Sequence, residues 1–381
     1  MCGEERGCAP LALGREEFLR LNVWLVRLLG LWWEGRPPWA RAALLLLCLA
    51  ALVSLQAAEM ASIGLGDIGA LTEVGTLTLA SVNVGFQVVY LMRSQRRVAR
   101  LVQQTREACA RLGDGRAAAA ELRLRRLTLG CVACCSGVGC VWAAGPLLAD
   151  GDALPYRLWS PLDVTAAPGY HITYLLSVAI LAPLVEAFVN LNALYLGLMV
   201  LTSARFSSLN SRFAAISKEM DGSGRLATAE LARCVAQHVH LLRFCSELSD
   251  VLSPVLLSQF GFTIVIICQT ALQTTMELEL SPRTMKFMGL LWLGISELFL
   301  YSYMGHKIMS QASDVQLSAY SCGWPDLDSS FKKSVSFIIQ RAQKPLHFSI
   351  GKMYVLSLRT FVEMMRVSYA FFTLLQQVNG H

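Results

Sequence analysis

Charge is scarce in this chain: Lys, Arg, Asp and Glu make up 16% of its 381 residues against 54% that are hydrophobic. With a mean hydropathy of +0.47, an ordinary soluble globular domain is excluded and an integral membrane protein is indicated. No Asn-x-Ser/Thr sequon occurs. No Gly-rich loop follows a strand to cradle phosphate, and no nucleophile, acid and base cluster together, so the chain does not read as an enzyme. Histidine is sparse, and His238 and His240, two apart on a helix, point away from each other and make a poor metal pair. Cysteine is the exception, with twelve residues. The one CxxC, Cys131 to Cys134, sits in an apolar span without a second ligand pair, beside Gly130, Ala133, Ser136, Gly137 and Gly139. Close helix packing explains it better than metal or a cofactor. The net charge of +6 does not imply nucleic acid, because the basic residues lie between apolar segments rather than in a basic and aromatic patch.

What is present is a succession of long apolar stretches. Spans are expected at Trp39 to Ala58, Ile68 to Met92, Leu127 to Ala149, His171 to Leu201, Leu252 to Thr275, Met285 to Met304 and Lys352 to Val378. The expected fold is therefore all-α, a seven-transmembrane helical membrane protein. The second and fourth stretches exceed the bilayer thickness and should tilt or project. Before them, Phe18, Leu21, Leu25, Leu28 and Trp32 recur at helical spacing, which suits an amphipathic helix on the membrane surface closed by Pro37-Pro38. Asn22 and Arg27 interrupt this segment, so it is no cleavable signal peptide.

Basic residues crowd the N-terminus and the second, fourth and sixth connections, whereas the alternate connections hold mainly Glu59, Asp67, Asp150, Asp152, Asp163, Glu277 and Glu279. By the positive-inside rule the N-terminus is cytoplasmic and the C-terminus extracellular. The expected organisation is a cytoplasmic amphipathic N-terminus (1–38), six spans with projecting cytoplasmic helices (39–304), a cytoplasmic anchor segment (305–351), and a last span with a short tail (352–381). The stretch from Asp150 to Tyr170, rich in Pro and Gly, suits either a folded lid or a plain surface loop. Apolar positions at Leu231, Val235, His238, Leu242, Cys245 and Leu248 can pack outside the membrane with Phe331, Val335, Ile338 and Ile339.

The last helix differs from a simple anchor. At 100° per residue, Arg359, Glu363, Arg366, Ala370, Thr373 and Gln377 share one narrow sector. Such a stripe along a spanning helix faces protein or water: either helix packing with an internal ion pair, or a water-filled pathway.

The residues around that helix also carry a resemblance. Glu297-Leu-Phe-Leu-Tyr-Ser-Tyr-Met-Gly305, Ala319-Tyr320 with Trp324, the Ala-Gln-Lys-Pro core within Ile339 to Pro345, Leu356-Ser-Leu-Arg-Thr-Phe361 and Ser368-Tyr369-Ala-Phe-Phe-Thr-Leu-Leu375 follow one another in order. This series resembles the C-terminal signature of insect odorant receptors over roughly the last 85 residues. The resemblance implies an odorant-gated, non-selective cation channel in the plasma membrane of a sensory-neuron dendrite. It further implies that the subunit sits in a tetramer with the shared odorant co-receptor, that projecting helices anchor the subunits around a pore, and that monovalent and divalent cations pass. The compact connection between the fourth and fifth spans fits a ligand-tuning subunit rather than the co-receptor.

Family likeness also places a pocket for a small volatile ligand in the outer half of the bundle. There the sequence puts Val74, Leu77, Thr78, Val138, Trp142, Ser177, Ile180, Leu181, Met288, Leu291 and Trp292. Trp142 and Trp292 are large and can hydrogen-bond, although a Trp near a bilayer surface also serves as an anchor. The resemblance puts the gate at Thr373, with Leu374 and Leu375 adjacent and Gln376 just outside it; Gln377, with Arg359, Glu363 and Arg366, belongs to the polar stripe read from the helical spacing. Competing readings are a gustatory receptor, whose C-terminal pattern is not reproduced, a G-protein-coupled receptor, which needs an external N-terminus, and a transporter, which would show internal repeats.

Overall fold

The computed structural model describes residues 23–379 except 25, 28, 33–38, 64–66, 111–113, 149–153, 165–167, 217–223 and 277–281. Its long helices are α1 (Trp39–Ile63), α2 (Ile68–Ala110), α3 (Asp114–Leu148), α4 (Gly169–Ala215), α5 (Gly224–Met276) and α6 (Pro282–Tyr320). After a short 3-10 turn come α7 (Ser329–Ala342), a two-stranded hairpin of β1 (Ser349–Ile350) and β2 (Tyr354–Val355), and α8 (Leu358–Asn379). Among the described residues, six helices are long and apolar enough to cross a membrane. With 22 residues, α8 is about 33 Å long, enough to span, but its charged stripe lowers its apolar content.

The helices run well past the bilayer. At ~1.5 Å per residue, α2, α4, α5 and α6 reach about 64, 70, 80 and 58 Å, against ~30 Å of hydrocarbon. The α6 helix continues through residue 305, so the expected boundary between span and anchor segment lies inside one element. Pro183 and Pro254 sit inside α4 and α5, as membrane helices allow when neighbours re-satisfy the freed carbonyls.

The projecting ends make a packed core of their own. Phe206, Leu209 and Phe213 of α4, Leu231, Leu241, Phe244, Cys245 and Leu248 of α5, Ile308, Val315 and Ala319 of α6, and Phe331, Val335 and Ile338 of α7 are all buried. The order of α7 follows from local chemistry. Asp328 caps it by accepting from Phe331 N at 3.0 Å, and its buried positions recur at i, i+4 and i+7. Of the two ways these apolar faces can pack, within one chain or between subunits, much of the surface is used within the chain. At the N-terminal end, Val23, Val26, Leu31 and Trp32 are buried and the chain turns at Gly30, φ +75°. Trp32 lies past the helical turns. Phe18, Leu21, Leu25 and Leu28 of the expected amphipathic helix lie outside the described residues.

The start of the last helix needs correction. Residues 352–357, expected to be helical, belong to the hairpin and its exit. The turn after Ile350 has Gly351 and Lys352 both at positive φ, +59° and +60°, the geometry that closes a tight hairpin and stops a helix. Gly351 N donates to Ser253 O at 3.1 Å and Lys352 N to Ser253 Oγ at 3.2 Å, which fix the turn on α5. The helix then begins after Ser357, whose Oγ accepts from Thr360 N at 3.2 Å.

From there α8 lies against α5 and α6. Phe361 meets Phe299 edge to face at 5.7 Å between centroids, and Cys268 Sγ donates to Ser368 O at 3.1 Å. Phe361, Met364, Met365 and Ser368 face the bundle. Arg359, Glu363, Arg366, Ala370 and Gln377 are exposed on the opposite side.

Candidate functional site: a cavity inside the membrane bundle

Five helices surround a cavity of about 410 Å³. Small residues open its wall: Gly130, Gly139 and the thiols Cys131, Cys134 and Cys135 on α3 leave room that larger side chains would fill. The end toward the segment before α4 is apolar and aromatic, with Leu77 of α2, Val138 and Trp142 of α3, Leu181 of α4 and the largely exposed Trp292 of α6. Trp142 is buried, meets Phe287 edge to face at 6.4 Å, and carries Lys286 Nζ over its ring at 5.6 Å. Its Nε1–H is buried and has no hydrogen-bond partner among the described residues.

The deeper end is polar. Asn83 Nδ2 and Gln87 Nε2 both donate to Gln259 Oε1, the former at 2.8 Å. Gln259 Nε2 donates in turn to Glu297 Oε2 at 2.5 Å and to Thr263 Oγ1 at 3.1 Å. Asn83, Gln259, Thr263 and Glu297 all line the cavity. Beside it, Tyr301 donates to Asn192 Oδ1 at 2.7 Å. A smaller groove between α3 and α6 shares Cys134, Val138, Trp292 and Leu293 with the cavity and adds Met285 and Gly289.

Of the two readings open for the segment before α4, the contacts favour a folded cover. Tyr156 is buried, and its hydroxyl donates to Ser177 O at 3.1 Å. Arg157 pairs with Glu73 of α2 at 3.5 Å, Lys286 of α6 donates to Pro155 O at 3.1 Å, and Ser160 and Thr173 hydroxyls lie 3.1 Å apart. Three helices therefore hold it.

Against known proteins, the model of the 7tm odorant receptor family matches residues 67–369. The chain belongs to that family. This odorant receptor is 24% identical to odorant receptor Or2 of Anopheles gambiae over 240 residues, 61% of this chain and 63% of that one. It is 26% identical to the Anopheles gambiae odorant receptor coreceptor over 144 residues, 38% of this chain and 30% of the other. The structure of olfactory receptor OR5 from Machilis hrabei in complex with eugenol superposes with a TM-score of 0.79 at 15% identity, covering 96% of this chain and 98% of that one. As a member of this family the protein is an olfactory receptor of the plasma membrane that crosses it several times, and not an enzyme.

The odorant receptor's cavity gathers some of the residues expected to line a pocket and passes over others. Leu77, Val138, Trp142, Leu181 and Trp292 line it. Val74 and Ser177 are buried in helix contacts, Ser177 beneath Tyr156. Thr78 turns its hydroxyl back to Val74 O at 2.8 Å, Ile180 and Leu291 pack on the core, and Met288 is exposed. Sequence reasoning left out α5 altogether and with it Gln259 and Thr263. On α8, Thr373 donates to Ala370 O at 2.9 Å, while Leu374, Gln376 and Gln377 are exposed and Leu375 is half-buried. Arg359 Nε donates to Glu363 Oε1 at 3.1 Å on the outward face.

Proposed function

We propose that this chain is the ligand-tuning subunit of an odorant-gated, non-selective cation channel, a heteromer, in tetrameric form, with the odorant co-receptor. The observation that carries the reading is the outward polar face of α8. A membrane-length helix that turns Arg359, Glu363, Arg366 and Gln377 away from its own bundle needs protein or water beyond this chain, since each ionisable group in hydrocarbon costs about 2.5 kcal/mol or more. Last helices from neighbouring subunits around an aqueous path meet that need. In this arrangement the N-terminus is cytoplasmic and Thr373, Leu374, Leu375, Gln376 and Gln377 form the outer gate.

The cavity and α8 share a wall, which supplies the coupling. Leu300 lines the cavity while the adjacent Phe299 packs on Phe361, and Ile266 lines it two residues from Cys268, which holds Ser368. A volatile ligand, as eugenol is for the OR5 structure, enters the cavity beneath the folded cover and favours a placement of α5 and α6 that draws α8 outward. Such couplings are typically about 1–3 kcal/mol.

The test is whole-cell current from cells expressing this chain with and without the co-receptor, challenged with a broad panel of volatiles. Ligand-evoked cation current only with both chains is expected. A second-messenger response without current, or uptake of a labelled solute without current, would overturn the channel reading.

A further inference from the structure

A second cavity, of about 140 Å³, lies in the projecting ends, between α5, α6 and the turn that leads from α7 to the hairpin. The two histidines of α5 part company here. His240 Nδ1 lies 3.2 Å from Arg205 Nη2, whereas His238 lines the cavity. His238 is 4% exposed, and its ring makes no hydrogen bond to the described residues. Burial first, and then the Arg341 charge, push the imidazole down to about 4. At neutral pH the ring is therefore uncharged and keeps one N–H to donate.

The rest of the wall is basic. Arg341, Lys344 and His347 line it with Ser313 of α6, and no carboxylate does. Nearby cations are paired, as Arg212 and Arg233 are with Glu230. Arg341 and Lys344 have no carboxylate partner among the described residues. The carbonyls that end α7 do not answer their charge either, since Ile339 O and Arg341 O already accept from Gln343 N and Lys344 N at 3.1 and 3.2 Å. Pro345 stops the helix, so the chain from Arg341 to His347 folds over α5 and α6 and brings its cations to the mouth of a cavity with a buried donor.

We propose that this cavity binds a phosphate group, with Arg341, Lys344 and the His238 ring N–H donating to its oxygens. A guanidinium fork and an ammonium suit a phosphate, and a neutral imidazole adds a donor without adding repulsion. A carboxylate offers only two oxygens and one charge to these three donors. The volume is below the roughly 300–1,000 Å³ of sites for drug-sized molecules and admits one phosphate. His238 lies about 21 Å along α5 from Leu252, where the span is expected to begin, so the phosphate belongs either to a soluble monoester or to the head group of a phosphorylated lipid. This binding goes beyond the channel reading and does not depend on it.

Lys344 itself reports occupancy, because a bound anion shields its amine from acylation. The purified full-length chain with its co-receptor is treated with an amine-acylating reagent in inorganic phosphate, acetate or chloride at equal ionic strength, and the modified lysines are read by mass spectrometry. At about 10 mM phosphate, roughly ten times a millimolar Kd, Lys344 should acylate several-fold more slowly than in chloride. Lys332 and Lys333, exposed on α7 and outside the cavity wall, should not change. Arg341→Gln should remove most of the protection, and Arg341 is exposed, so the variant keeps the packed end. His238→Phe, which retains a ring and deletes the N–H, should raise the phosphate concentration needed by about threefold to tenfold. A second arm uses nanodiscs containing a phosphatidylinositol phosphate, against phosphatidylserine at equal surface charge. Protection in inorganic phosphate assigns a soluble monoester; protection by the phosphorylated lipid alone assigns a head group. Equal slowing of Lys344, Lys332 and Lys333 would reduce the effect to screening and overturn the proposal. Equal protection by acetate, or none from phosphate and lipid alike, would do the same.

Discussion

Gly305 and Gly261 both lie inside long helices, and the same substitution at each should have opposite outcomes. A Cβ at Gly305 would stand 2.7 Å from Leu356 Cγ, 2.7 Å from Leu356 O and 2.8 Å from Leu356 Cδ2. Leu356 cannot yield easily: it is fully buried, and its N–H donates to Phe348 O at 2.8 Å. At Gly261 the added Cβ meets nothing within 4 Å. Replacing Gly by Ala in a helix gains about 0.8–1.0 kcal/mol at either site, while the overlap at Gly305 costs roughly 1–3 kcal/mol. Gly261→Ala should therefore raise the unfolding temperature of the purified receptor, and Gly305→Ala should leave it unchanged or lower it. The difference between the variants isolates the contact between α6 and the exit of the hairpin. Because that exit leads directly into α8, Gly305→Ala should also change maximal current at unchanged ligand affinity. Equal shifts of unfolding temperature in the same direction for both variants would refute the packing argument.

Trp142→Phe removes one indole N–H and little bulk, so ligands with an acceptor at their outer end should lose roughly threefold to tenfold in potency, while ethylbenzene does not; an unchanged dose-response series for both would remove Trp142 from the site. Thr373→Val keeps the side chain's shape and deletes its hydroxyl, and basal current of the co-expressed channel should fall; no change in leak would argue against Thr373 at the gate. Glu230 lies about 33 Å along α5 from Leu252, outside the membrane, where hydrogen bonds from Arg212, chiefly, and from Arg233 hold its carboxyl below the usual carboxylate range. A depressed pKa contributes stability above the unfolded value that is lost as pH falls through the folded one, so the thermal stability gap between wild type and Glu230→Gln should close in acid below the ordinary carboxylate range; a gap constant with pH would contradict the pairing. An epitope tag at the N-terminus should stain only permeabilised cells.

The membrane spans were legible because bilayer thickness imposes a length and an apolar composition that any window along the chain can detect. The stripe on α8 was legible for a similar reason, since six positions at helical spacing form a pattern in one segment. The floor of the cavity had no such signal. Asn83 and Gln259 are 176 residues apart, and Gln259 and Glu297 are 38 apart. Each is one of several scattered polar residues in its helix, which local pattern cannot distinguish from one that satisfies its own backbone, as Thr76 also does toward Thr72 O. The hairpin before α8 was missed because Tyr354 and Val355 read equally well as the first turn of an apolar helix. Two positive φ angles at Gly351 and Lys352 and three contacts to Ser249 and Ser253 decide otherwise.

The distribution of packing gives the receptor its mechanical character. The projecting ends bury Phe206, Phe213, Phe244 and Phe331 fully or nearly so. In the membrane, α3 leaves Leu129, Cys134 and Cys140 exposed, and Gly130, Gly137 and Gly139 have open space beside them. Dense interiors resist displacement, whereas a wall backed by a cavity can shift with the loss of few contacts. A small ligand contributes only several kilocalories per mole, about 0.3–1.5 kcal/mol per heavy atom at best. That is enough to bias the sparsely packed α3 wall of the cavity and too little to disturb the packed ends. In the proposed channel, a shift of α5 and α6 passes to the last segment through Phe299 on Phe361, Cys268 on Ser368 and Gly305 against Leu356, shortly before α8.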